Sequence, residues 1–283
     1  CTSLRVSSYV SKVSFCPIGD ILICTMKFYE VAPTKIIRAG HDRFTYCSEY
    51  TYSVGQLVHI PVGKKVLEGI VLQEVQKPPY ETKSIIETLE NIPLPKSLVR
   101  LSLWLAEYYR TPLATVLQTV LPRGLTVKRR EKNTATVAPI RTRTPIVLNG
   151  EQRAAVEKIT ASPPATIILQ GVTGSGKTEV YKEVARRTLA AGKSVIVLVP
   201  EISLTSQLVD EFAQEFSNTI VTHSHMTEAE RHTAWRRALT APEPVVVVGP
   251  RSALFMPVPN LGFIAVDEAH EPSYKQEQAP RYS

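Results

Sequence analysis

Gly171-Val172-Thr173-Gly174-Ser175-Gly176-Lys177-Thr178 carries the G-x-x-x-x-G-K-[ST] spacing, and its reading decides the fold. Glycines here let backbone N–H groups curl around phosphate oxygens that side chains would obstruct. A helix predicted to open near Lys177 adds the partial positive charge of its N-terminus. In such a loop Lys177 contacts the β- and γ-phosphates of a nucleoside triphosphate, and the Thr178 hydroxyl ligates magnesium. The run from Thr166 to Gln170 reads as a strand, so the loop has the strand-before, helix-after context that sets it apart from a chance glycine-rich turn.

Downstream, strands and helices alternate. Ser194–Val199, Thr219–Thr222, Val245–Val248 and Phe263–Val266 are predicted strands, with helices over Ser203–Phe216 and Glu228–Leu239. Continuous apolar strands fit a parallel sheet covered on both faces, hence an α/β fold. The strand Phe263–Val266 delivers Asp267-Glu268-Ala269-His270 at its C-terminal end, where ligands gather in open α/β sheets. Asp267 is expected to hold magnesium through its water shell, and Glu268 to be the general base that orients the attacking water. His270 either joins that site or is a polar surface histidine. Leu148-Asn149-Gly150-Glu151-Gln152 opens another helix, where Gln152 either reads an adenine edge with its amide or sits solvated at the helix cap.

Upstream the rhythm is different. Phe28–Val31, Phe44–Cys47, Leu57–Pro61 and Gly69–Val75 are short strand candidates with turns at Gly55 and Gly63, a pattern that suggests a small β-barrel closed by Pro78-Pro79. After Pro95, Leu98, Leu101, Leu105 and Tyr109 fall at helical spacing, and a second short helix spans Pro112–Val120. Arg123, Lys128, Arg129, Arg130, Lys132, Arg141 and Arg143 face one acid, Glu131, in a stretch read as an interdomain linker, either DNA-binding or a solvated tether.

The 283 residues suit one large domain or two modest ones. No apolar run is long enough to span a bilayer, so no membrane partner is expected. A formal net charge of +7 favours polyanionic partners, because Lys and Arg release counterions from phosphates. Cys1, Cys16, Cys24 and Cys47 form no C-x-x-C pair and have no histidine at metal-ligand spacing, which reads as reduced thiols in a cytoplasmic protein with no zinc site in this chain. Residues 1–25, ahead of Met26, are either upstream of the true start or an N-terminal strand, and Ser283 follows so directly on a charged, aromatic segment that a fragment is expected.

From Leu148 to Tyr282 the chain closely resembles the first motor lobe of the PriA family, the replication-restart helicases of superfamily 2. The phosphate loop extended through Glu179-Val180-Tyr181, then Val199-Pro200-Glu201-Ile202-Ser203-Leu204-Thr205, His223-Ser224 with Glu230-Arg231, and Arg251-Ser252-Ala253-Leu254-Phe255 follow in the family's order. Ser273-Tyr274-Lys275-Gln276-Glu277 and Arg281-Tyr282 resemble its aromatic-rich loop, which couples single-strand binding to ATP hydrolysis. The N-terminal strands resemble its domain for DNA 3′ ends, and Leu103-Trp104-Leu105-Ala106-Glu107-Tyr108-Tyr109 the helix that follows. There are departures: Ala269 stands for a glutamate, Pro250 for a threonine, His225 for a glycine, and Thr45, between Phe44 and Tyr46, for an aspartate. Leu125 to Val147 is too short for the winged-helix domain usually inserted there.

The resemblance implies a RecA-like parallel-sheet lobe over residues 148–283, preceded by a β-barrel DNA-binding domain over 26–95 and a helical segment with basic linker over 96–147, after a leader over 1–25. It implies an ATP-dependent 3′-to-5′ DNA helicase that recognises stalled forks and restarts replication by primosome assembly. ATP and magnesium would be the cofactors. DNA forks, single strands and 3′ ends would be bound, and primosome and single-strand-binding proteins would be partners. A second motor lobe and zinc-binding cysteines would lie beyond Ser283, so this stretch alone is expected to turn over ATP weakly. Beside the resemblance, Arg251 and Ser252 are placed to meet phosphates, and Tyr274 and Tyr282, flanked by Lys275 and Arg281, either stack on bases or pack a loop onto the lobe. Phe44 and Tyr46 join them as DNA-contact candidates in the barrel. The rival readings are a double-stranded DNA translocase of the same superfamily and a fork-binding scaffold with secondary ATPase activity.

Overall fold

The computed structural model describes residues 26–38, 40–123, 147–172, 174–200, 204, 206–276 and 279–282. The leader 1–25, the basic linker beyond Arg123, Thr173, Glu201 to Ser203, Thr205 and Glu277 lie outside the described residues.

Strands β1 (Lys27–Pro33), β2 (Phe44–Ser48), β3 (Leu57–Val62) and β4 (Lys65–Val75) pair antiparallel in the spatial order β2-β1-β4-β3. The short strands β5 (Lys83–Ser84) and β6 (Glu87–Thr88) extend the two opposite edges, β5 beside β2 and β6 beside β3. Both belong to one short segment, whose Ile85 and Ile86 N–H groups donate to Cys47 and His59 (2.9 Å each). One segment can reach both edges only if the sheet curls round on itself, and curling leaves few edge groups unpaired. Alternation supplies the interior: Tyr29, Val31, Tyr46, Val58, Ile60 and Val71 form one buried cluster. Gly55 (φ +91°) lies where Leu94 passes so close that any Cβ would collide with its carbonyl oxygen.

Helix α1 (Lys96–Tyr108) and helix α2 (Leu113–Val120) follow, each opened by a proline, Pro95 and Pro112. Next come α3 (Gly150–Ala161), α4 (Lys177–Ala190), β7 (Ser194–Leu198), α5 (Ser206–Glu215), β8 (Thr219–Val221), α6 (Glu228–Leu239), β9 (Val246–Gly249) and β10 (Leu261–Val266). The last four strands form a wholly parallel sheet in the order β10-β7-β9-β8. Its faces alternate by residue. Val195, Val197, Val246 and Val248 meet Tyr181 and Ala185 of α4 and Phe212 of α5. Ile196, Leu198 and Val247 meet Trp235, Ala238 and Leu239 of α6. Each fully buried Val or Leu contributes about 1.5–3 kcal/mol of transfer free energy.

The second cluster does not stop at the lobe. It runs on through Leu113, Leu117 and Leu121 to Leu57, Ile70 and Leu72 of the barrel. Trp235 Nε1 donates to the Val120 carbonyl (3.1 Å), and Arg236 pairs with Glu90 (3.6 Å). Barrel, helices and lobe therefore share one apolar core.

One expected strand is absent. The run Thr166–Gln170 joins no ladder, and Ile168 is 89% exposed. Strand propensity needs a neighbour to take up the backbone N–H and C=O groups. Among the described residues β10 pairs only with β7, and its free edge exposes Ile264 and Val266. Leu169 alone of the run packs inward, against Val156, Val180 and Val184. Helix α5 also starts later than the predicted Ser203.

Candidate nucleotide-binding site

Gly176 closes the loop with φ +79°, a left-handed conformation that glycine adopts without strain, and a Cβ there would strike Gln152 Nε2. At Gly171 a Cβ would stand 2.6 Å from Ser175 Oγ. No side chain caps the N-terminus of α4, so its first-turn N–H groups and dipole suit an anion. Lys177 Nζ donates to the carbonyls of Gly171 (2.8 Å) and Val172 (3.2 Å), which holds the ammonium at the mouth of the loop.

Gln152 caps α3 and reaches the phosphate loop. Asn149 Oδ1 accepts from the Gln152 N–H (2.8 Å), and Gln152 Oε1 accepts from the Asn149 N–H (2.9 Å), a complete capping box. Gln152 Nε2 then donates to the Ser175 carbonyl (3.1 Å), tying α3 to the loop. Of the two readings left open by the sequence, the helix cap is the one this geometry supports, with a brace onto the loop that spacing does not reveal.

β10 places Asp267 beside α4. The Asp267 N–H donates to Leu198 (2.9 Å), which fixes the residue at the sheet's C-terminal edge. Its carboxylate accepts from the Glu268 N–H (Oδ1, 3.0 Å) and from the Tyr181 hydroxyl (Oδ2, 3.3 Å). Thr178, one helical turn earlier, lies close enough to the same phenol to pull its pKa down. Tyr181 thus neighbours both residues singled out for magnesium and is bonded to Asp267. Burial, reinforced by the Asp267 charge, holds the Tyr181 phenol well above the usual tyrosine range, so it remains a donor. Sequence reasoning assigned Tyr181 no role. The available signal was its position three residues after Thr178, which puts both on one side of a helix.

Glu268 has φ +44°, an uncommon conformation for a residue with a side chain and a strain of the order of 1–3 kcal/mol. The turn swings Glu268 away from the strand direction, next to Asp267. His270 lies 76% exposed with Nδ1 3.6 Å from Glu268 Oε2, in keeping with a surface histidine. Magnesium is commonly held by one or two protein oxygens together with substrate phosphates. The Thr178 hydroxyl at the start of α4 and the Asp267 carboxylate held beside α4 by Tyr181 fit that need.

The predicted DNA-contact residues divide. Arg251 Nη1 donates to the carbonyls of Ser273 (2.9 Å) and Lys275, so it staples the loop after Asp267 onto the lobe. Ser252, Lys275 and Arg281 are exposed. Tyr274, half-buried, donates its hydroxyl to the Asp267 carbonyl (2.7 Å), and burial followed by the charges of Asp267, Glu268 and Glu271 raises its phenol. Tyr282 is 8% exposed and meets Phe255 edge-on at 5.2 Å, amid Leu98, Leu105, Val116 and Val120. This corrects the expectation of an exposed stacking face at Tyr282, because an apolar pocket between lobe and helices outcompetes water for the ring. In the barrel, Phe44 and Tyr46 share the inward side of β2, with Tyr46 5% exposed. The outward residue is Thr45, whose hydroxyl accepts from Tyr80 (3.2 Å).

Comparison with known proteins follows the same division. Residues 149–282 match the DEAD/DEAH box helicase family, and residues 36–122 match the PriA 3′ DNA-binding domain. Replication restart protein PriA of Treponema pallidum is 38% identical over 242 residues, 81% of this chain and 36% of that protein. The Helicobacter pylori J99 protein of the same name is 35% identical over 260 residues, 91% of this chain and 39% of that protein. The Bacillus subtilis protein is 48% identical over 143 residues, 49% of this chain and 18% of its own length. The chain thus spans little more than a third of the first two relatives. With a helicase lobe behind the phosphate loop, a 3′ DNA-binding domain ahead of it and these relatives across most of its length, the chain belongs to the PriA family of replication restart proteins.

Proposed function

We propose that this chain supplies the fork-recognising and ATP-binding part of a 3′-to-5′ DNA helicase that restarts replication by primosome assembly. The observation that carries the reading is the phosphate loop at the N-terminus of α4 with Asp267 held beside that helix by the Tyr181 hydroxyl. In this reading Lys177 and the α4 N-terminus neutralise the phosphates of ATP, Thr178 and Asp267 hold magnesium, and Glu268 accepts the proton of the attacking water. Magnesium would supply charge neutralisation on the transferring phosphate. Residues 26–95 would engage 3′ ends, 96–147 would link the halves, and 148–283 would form the motor lobe. Arg251, Ser252, Lys275 and Arg281 would face DNA, while Tyr274, Tyr282, Phe44 and Tyr46 would hold those surfaces in place. Fork and single-stranded DNA, primosome proteins and single-strand-binding protein are the partners this reading names, in the cytoplasm.

The test is Lys177→Ala, assayed for ATP hydrolysis with single-stranded DNA and for fork binding. Hydrolysis should fall by about 10² to 10³, the usual loss for one preorganised phosphate-directed donor, while binding persists. Turnover near the unmodified rate would remove the assignment. Replication restart that survives Lys177→Ala would make the protein a scaffold instead.

A further inference from the structure

Helix α1 buries Leu98, Val99, Ser102 and Leu105. Its water side repeats every four residues as Lys96, Arg100, Trp104 and Tyr108, all exposed. Two cations and two rings therefore lie along one stripe about 18 Å long, twelve rises of 1.5 Å. Trp104 is 50% and Tyr108 66% exposed, and their rings stack at 4.8 Å between centroids and 20° between planes. Tyr109 braces both edge-on, at 6.2 and 4.9 Å. The contrast with the chain's other tryptophan is sharp: Trp235 is 3% exposed and hydrogen-bonded. Large aromatic side chains are mostly buried, so a braced pair left in water suggests a surface prepared for a flat apolar ligand.

The geometry points to a single-stranded DNA platform on α1, with bases stacking on Trp104 and Tyr108 and phosphates meeting Lys96 and Arg100. Charge selects this occupant: Lys96, Arg100 and, just past the helix, Arg110 outnumber Glu107, the one acid on the face. Alternating π-faces and negative phosphates match a row of rings beside cations, and such stacking accepts any base. The rings are already stacked and braced, so little rotamer freedom remains to be lost on binding. The proposal rests on the reading of this chain as a DNA-binding protein, and not on any pocket for 3′ ends.

The decisive ligand is a circular single-stranded oligonucleotide, which has no 3′ end, titrated into the full chain. Trp104 should emit at longer wavelength than buried Trp235, and DNA should quench the long-wavelength component saturably while sparing the other. Trp104→Ala and Tyr108→Ala should each weaken binding about 5- to 100-fold, with Trp104→Phe retaining most of the affinity. Lys96→Ala and Arg100→Ala should each lower the slope of log affinity against log salt by about 0.7, and Glu107→Gln should tighten binding. Thermal melting should barely move, since all five side chains lie on the surface. Unchanged affinity in Trp104→Ala, or DNA binding without quenching, overturns the platform. So does a Trp104 emission that is already blue-shifted in free protein, which would mean a protein segment covers the stripe. Failure of the 3′-end reading shows up separately, as equal binding of linear strands ending in 3′-hydroxyl and 3′-phosphate while circular DNA still binds.

Discussion

Tyr181 ties the helix that follows the phosphate loop to a carboxylate from a distant strand end. Asp267 accepts from its buried phenol, which sits one turn after Thr178. Removing only its hydroxyl, as Tyr181→Phe, leaves the ring stacked on Phe212 (6.3 Å between centroids) and so should keep the fold. Supporting residues around a metal typically matter 10- to 100-fold. Tyr181→Phe should therefore raise the magnesium concentration needed for half-maximal ATP hydrolysis by about tenfold, with most of the rate recovered at saturating magnesium. A loss of rate that excess magnesium does not repair would rule out a positioning role. Arg251 and Tyr274 act at the same scale: each ties a backbone carbonyl of the Asp267–Lys275 segment, so this loop is held from both ends.

Helix α3 shows how one element can serve two purposes. Its capping box satisfies the first-turn donors, and the same Gln152 side chain braces Ser175 in the phosphate loop. Asn149→Ala deletes the acceptor for the Gln152 N–H and frees the glutamine. The expected loss is about 1 kcal/mol of lobe stability in denaturant unfolding, the usual value for an N-cap. Because the brace loosens with it, KM for ATP should rise while kcat changes little. Full stability in Asn149→Ala would show that the cap is dispensable. Helix α4 is built differently, with Lys182, 2% exposed, ringed by Glu179 (3.1 Å), Glu211 (3.2 Å) and Glu215 (3.7 Å). That cluster locks α4 against α5, and breaking a buried pair by removing one partner is strongly destabilising.

At the scale of the whole molecule, buried or half-buried phenols recur in every part. Tyr46 lies in the barrel, Tyr181 and Tyr274 at the nucleotide site, and Tyr282 between lobe and helices. Burial raises all four above the ordinary tyrosine value, opposed at Tyr282 by Arg251. Below about pH 10 both folded and unfolded phenols are protonated, and the full stabilisation is present. As pH rises past about 10 the unfolded chain loses these protons first, so it binds fewer than the native state and stability falls with pH. The denaturant midpoint should drop steadily above that pH, and Tyr282→Phe, which keeps the ring against Phe255, should flatten the drop. A midpoint independent of pH in that window would contradict the shared burial. Since one core joins barrel, helices and lobe, the loss should register together in barrel and lobe signals.

What the sequence by itself determined is local in origin. The phosphate loop, the apolar strand runs and the helix periods depend on spacing along the chain, and residues near in sequence stay near whatever the fold. Strands β1 to β4 and β7 to β10 and the helices between them were legible for that reason, as were Lys177, Thr178, Asp267 and Glu268 as site candidates, whereas the short β5 and β6 were not. Only the tertiary structure decided the rest, because each point turns on what meets a residue from far away. Thr166–Gln170 has strand-forming residues but no ladder partner among the described residues. Tyr282 carries the composition of a stacking residue, yet Phe255 and Leu105 enclose it, whereas Trp104 has the composition of a core residue and stands in water. Gln152 was readable as a base contact or a helix cap, and its bonds to Asn149 and Ser175 come from the fold. Burial and hydrogen bonding are properties of neighbours in space, and no pattern along a single chain specifies which of two aromatic residues a distant helix will cover.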